Sequence, residues 1–115
     1  MQTSSQAARA YEAASVHRSQ RSQEADVFRR ATGALKAAQD ASALSRVRAL
    51  ADNRRLWMAV QDLVGDPDNA LPDGLRASIL SVGLAVQREM DRDTPDFAFL
   101  ITINENFAAG LSEQG

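Results

Sequence analysis

With 115 residues and 44% hydrophobic side chains, the chain suits one domain, residues 1–115, with a modest core, and wholesale disorder is excluded. Cysteine is absent, which excludes disulfides and thiolate chemistry and fits a reducing cytoplasm. The net charge of −2 conceals a split: ten basic and five acidic side chains in residues 1–55, three and ten in residues 56–115. The halves can pair with each other or present opposite poles to partners.

Residues 1–20 are weakly patterned. Ala7, Ala8, Ala10, Tyr11, Ala14 and Val16 predict a short helix capped by Thr3, Ser4 or Ser5, mobile until something binds, whose docking would hinge on Tyr11. From Ser22 a second helix is expected, with Ala25, Phe28, Ala31, Leu35 and Ala38 on one face at intervals of three or four. Gly33 interrupts it at a cost of about 1 kcal/mol relative to alanine, which a close helix crossing would justify. A third helix is predicted after Ser42, with Leu44, Val47, Leu50, Ala51, Trp57 and Val60 as its buried stripe and Arg46, Arg48, Arg54 and Arg55 outside. Gly65 is expected to stop it by adopting positive φ, followed by turn chemistry in Asp66-Pro67-Asp68-Asn69.

A fourth helix is predicted to re-enter near Pro72 and run to Asp91, with Leu75, Ile79, Val82, Val86 and Met90 facing in. Leu80 and Leu84 make it apolar over more than one face, which points to a central position, and Gly83 reads as a packing site. The fifth helix has the clearest start, with Thr94 as N-cap, Pro95 at the first helical position and Asp96 in the first turn. Phe97, Leu100, Ile103, Phe107 and Leu111 form its packing face, and Phe99 falls off that face toward solvent. No stretch alternates with period two for long. The expected fold is all-α, a small antiparallel bundle of four to five helices.

Chemistry has little to stand on. His17 is the one histidine and sits in the weak N-terminal segment, so neither a Cys/His nor a His-rich metal site is available. Asp66, Asp68 and Asp73 lack the spacing of a calcium loop, and no phosphate-binding glycine motif occurs. No catalytic residue, metal or cofactor is expected, and the chain reads as a non-enzyme. The arginines of the third helix come without interleaved exposed aromatics, which argues against direct RNA binding and for a solvated face. No signal peptide or bilayer-spanning segment is expected, which places the protein in the cytoplasm. Trp57 reads as a core anchor, with a partner-binding hot spot as the alternative. Asn53 and Asn104 sit within helical patterns, where their amides are expected to bond backbone or neighbours and help join helices.

Taken together, several blocks resemble the flagellar biosynthesis regulator FlaF family of alphaproteobacteria. They are ALADNRRLW at residues 49–57, DLVGDPDNALPDGLR at 62–76, ILSVGLAV at 79–86 and INENFAAGL at 103–111, within a similarity from Ala25 to Leu111. The resemblance implies a cytoplasmic adaptor that binds newly made flagellin, protects it and supports its synthesis and export for filament assembly. It also implies work alongside FlbT, a translational repressor of flagellin. The alternative is a post-transcriptional regulator acting through FlbT or flagellin mRNA without touching flagellin, supported only by the arginine face. On the chaperone reading, Tyr11, Leu80, Leu84 and Phe99 are the expected flagellin contacts, with Trp57 and Leu71 shaping the groove.

Overall fold

The computed structural model of the protein describes residues 2–113, with side chains described for residues 6–9 and 23–110. Four helices follow one another: α1 (Gln2–Ala38), α2 (Ala43–Gly65), α3 (Asp73–Met90) and α4 (Phe97–Glu113). The expected first and second helices are one. Residues 17–24 are polar but hold neither proline nor glycine, and polarity alone does not break a helix. At about 1.5 Å per residue, the 37 residues of α1 run about 55 Å and set the long dimension of a molecule 64 Å in extent. Tyr11 and His17 have side chains outside the described residues. Gln6 to Arg9 are exposed.

Among the described side chains of α1, all five residues of its predicted face lie in the core: Ala25, Phe28, Ala31, Leu35 and Ala38. Gly33 is exposed, and a Cβ there would meet nothing, so no close crossing explains it. Helix α1 packs on α4 and α2, α2 packs on α3, and α3 meets α4 only sparingly. Thus α3 is peripheral, not central. Of its second apolar strip, Leu80 is half-buried and packed against the core, and Leu84 is half exposed.

Helix α2 starts where expected: the Ser42 hydroxyl accepts the Ser45 N–H at 3.2 Å. Its buried face is Ala49, Asn53, Leu56, Trp57, Val60 and Val64. Leu44 and Val47, expected inside, are 58% and 62% exposed, because a polar residue, Asn53, occupies the middle of the true stripe and displaces its direction. Gly65 does not adopt positive φ; the helix ends as Asp66 turns extended, at φ −68° and ψ 125°. Two Asx turns follow, Asp68 N–H to Asp66 Oδ1 and Leu71 N–H to Asn69 Oδ1, both at 2.9 Å.

The free carbonyls at the end of α2 are met by side chains from beyond the turn. Asn69 Nδ2 donates to the Leu63 carbonyl at 2.9 Å, and Arg76 donates from Nε to Val64 (3.0 Å) and from Nη2 to Asp66 (3.1 Å). The arrangement is reciprocal, since Arg54 of α2 donates to the Met90 carbonyl at the end of α3 (2.9 Å) and pairs with Asp91. Each helix lays a cation on the negative end of the other's dipole, and that locks the α2–α3 hairpin. Arg76→Ala would release two carbonyls and is expected to cost about 1.5–3 kcal/mol, read as a lowered urea midpoint. Arg76→Lys is expected to recover only part of this loss, because a single ammonium cannot span both acceptors.

Helix α4 begins two residues later than the proline signal suggested. Asp96, not Thr94, is the cap: its Oδ1 accepts the Phe99 N–H at 3.1 Å, and its own N–H is held by Glu89. Among the described residues no helix is long and apolar enough to cross a membrane.

Candidate functional site

Three helices converge on a buried polar chain. Trp57 Nε1–H donates to Asn104 Oδ1 at 2.9 Å, Asn104 Nδ2–H donates to Asn53 Oδ1 at 2.7 Å, and Asn53 Nδ2–H points to Met90 Sδ at 3.3 Å. Both asparagines are fully buried, and among the described residues every buried side-chain nitrogen and oxygen has a partner. The two amides join α2 to α4, as their placement in apolar helices led us to expect. Around them Phe28, Trp57 and Phe107 form an aromatic triad: Phe28 stacks on Phe107 at 5.2 Å, and Trp57 stands edge-on to both at 5.8 and 5.2 Å. This cluster is a core device. With Trp57 only 2% exposed, its ring supports the surface from beneath and offers no contact area of its own.

Beside that core, α3 and α4 contact each other only sparingly. Along the inner row of α3, Leu75 is 41% exposed, Ile79 and Val82 are half-buried, and Val86 and Met90 are fully inside. Along α4 burial runs the other way: Phe97, Leu100 and Ile101 are inside, while Ile103, Phe107 and Ala108 are half-buried. The two helices touch sparingly and are both less buried away from the 91–96 turn, which leaves two partly exposed apolar rows, called the wedge below. Burial is greatest beside the 91–96 turn, at Met90, Phe97 and Leu100, and least toward Leu75 and Phe107. The wedge is apolar, with no charged residue in either row.

Of the residues singled out from sequence, Leu71 is half-buried beside the α2–α3 turn, at the less buried end of the inner row of α3. Phe99 is half-buried and packed on the core, not free in solvent; Ile103 and Phe107 follow it on α4 at intervals of four, so it flanks the wedge. Leu80 and Leu84 share a different strip of α3, beyond the crossing where Gly83 lets Gln61 approach to 3.1 Å of the position its Cβ would take. The structure therefore separates Phe99 from Leu84, and it adds Leu75, Ile79, Val82, Ile103 and Phe107 as wedge residues. Their periodicity was legible; their partial exposure was not.

Two of the four arginines on α2 are engaged by other parts of the fold, and a third, Arg55, makes an exposed pair within α2. Arg46 lies over the Phe97 ring at 5.2 Å, Arg54 closes the end of α3, and Arg55 faces Asp52 at 3.6 Å. A sequence-family model described as "Flagellar protein FlaF" matches residues 7–111. No curated protein and no solved structure matches the chain.

Proposed function

Because the chain belongs to the FlaF family of flagellar proteins, we propose that it is a cytoplasmic, non-enzymatic flagellin-binding chaperone and adaptor that supports flagellin synthesis and export. The observation that carries this reading is the apolar wedge between α3 and α4. An amphipathic helix laid in a groove buries its apolar face along anchors one turn apart, and the rows Leu75-Ile79-Val82 and Phe99-Ile103-Phe107 have that spacing. Flagellin's terminal helices pack only in the filament. Before assembly their apolar faces are an aggregation hazard that such a wedge would cover.

Calorimetric titration with full-length flagellin and with forms lacking either terminus tests this. Saturable binding that disappears with one terminus is expected. Leu75→Lys, at the exposed end where the fold tolerates it, is expected to weaken binding about tenfold or more by placing an unpaired charge against an apolar helix. If Leu84→Ala weakens binding and Leu75→Lys does not, the partner sits on the outer strip of α3 instead. Absence of binding to every form would sink the chaperone reading. The regulator that acts through FlbT or flagellin mRNA would then be tested by titrating each; Arg46 and Arg54 are engaged within the fold, which leaves only Arg48 and Arg55 of that face for RNA to meet.

A further inference from the structure

A concave surface elsewhere on the molecule shares no residue with the apolar rows of α3 and α4. Between α1 and α2 there is a pocket of about 330 Å³. Its floor is Ala31 and Leu56, its walls are Val27 and Ala59, and Arg30, Arg55 and Asp52 stand at its rim. The sequence explains the gap: alanines at 31 and 59 sit where larger residues would close the α1–α2 seam. One turn beyond Ala59 on the same side of α2, Leu63 is 58% exposed and extends the apolar track; Val27 is 48% exposed.

The rim is what selects an occupant. Arg30 has no hydrogen-bond or ion-pair partner among the described residues. Arg55 is held only by Asp52 at 3.6 Å, with their side chains 78% and 53% exposed. Exposed pairs of this kind are screened and worth little, so an incoming carboxylate can compete for Arg55 while Arg30 is available outright. Two guanidinium groups over an apolar, alanine-walled track complement an apolar side chain with a carboxylate one helical turn away. The basic balance of residues 1–55 would favour the encounter with an acidic segment.

From this geometry we infer that the α1–α2 pocket is a docking site for an acidic amphipathic helix of a partner protein, read through two apolar anchors and a carboxylate. The site is independent of flagellin binding in the wedge. An adaptor with two such faces can hold its cargo and a second protein at once.

The test is fluorescence anisotropy of the full-length protein with two labelled helical peptides. They carry the same pair of leucines four residues apart, flanked by glutamates in one and glutamines in the other. The glutamate peptide is expected to bind about tenfold tighter at low salt, with the gap narrowing as salt rises. Arg30→Gln with Arg55→Gln should erase the gap while leaving the thermal melt and flagellin binding intact. Ala59→Phe, a change at an exposed position that fills the pocket, should weaken both peptides about fivefold or more. Equal affinity for the two peptides, or a gap that survives the double substitution, would overturn the proposal. So would a preference for a single-stranded RNA oligomer over both peptides, or a concentration-dependent dimer lost in the double variant, which would assign the pocket to nucleic acid or to a second copy.

Discussion

Asn104→Ala is expected to cost the fold about 3–5 kcal/mol, a large share of the roughly 5–15 kcal/mol that holds a domain of this size together. The side chain is fully buried and stands at the centre of the polar chain, accepting from Trp57 and donating to Asn53. Truncation orphans both neighbours at once. Each buried unsatisfied group costs about 1–3 kcal/mol, and the vacated volume adds a cavity term. Urea unfolding followed by the single tryptophan would report the loss, because Trp57 is itself one of the bonded partners. A second expectation separates polar pairing from simple packing. Asn53→Leu and Asn104→Leu should each be severe alone, yet the double variant should be less damaged than the sum, since each removes the other's unsatisfied partner. A cost below about 1 kcal/mol for Asn104→Ala, or strict additivity in the double variant, would show that the chain of bonds is not what organises the core.

That polar chain also explains where the sequence was readable and where it misled. The face of α1 from Ala25 to Ala38 is apolar at every position, so helical periodicity alone identifies it. Helix α2 has an asparagine at the heart of its buried face. A stripe drawn through apolar residues then swings toward Leu44 and Val47, which lie in solvent. Burying Asn53 is tolerable only because Asn104, fifty-one positions away, supplies the matching amide, and pairing at that range leaves no local trace. The same holds for the cap exchange between Arg54 and Arg76. Arg54 is visible as a charge outside a helical stripe, but the acceptors of both arginines are backbone carbonyls of the neighbouring helix.

The wedge was legible only in part. Its residues recur at helical intervals and were expected to face inward. How far inward depends on how sparingly α3 meets α4, which no local pattern encodes. The start of α4 was likewise misplaced by two residues, since Asp96 and not Thr94 caps it. Gly83 shows the opposite case: a glycine predicted to be a packing site does sit against Gln61, whereas Gly33, read in the same way, meets nothing. Sequence shows that a helix tolerates a glycine, and only the neighbour's position shows why.

Phe28→Ala is the second substitution expected to be severe, at about 3–5 kcal/mol. Phe28 is 4% exposed and is the one member of the aromatic triad contributed by α1, stacked on Phe107 and edge-on to Trp57. Its removal opens a cavity where α1, α2 and α4 meet, and collapse is restricted because Leu35, Trp57 and Leu100 are already packed without exposure to spare. Phe28→Leu should be milder, about 1–2 kcal/mol, since it refills most of the volume and forfeits chiefly the ring contacts. The triad also links stability to the proposed site, because the half-buried Phe107 belongs both to the triad and to the proposed contact row of α4. Under conditions where Phe28→Leu remains folded, flagellin affinity should fall as Phe107 loses its stacking partner, while the α1–α2 pocket should bind its helical peptide nearly unchanged. Denaturant unfolding and the two titrations, made on the same variant, measure these effects separately. A stable Phe28→Ala protein would show that α1 is held chiefly by contacts other than this ring. Equal losses at the wedge and the pocket would mean that the substitution loosens the whole bundle and that Phe107 carries no special coupling to the wedge.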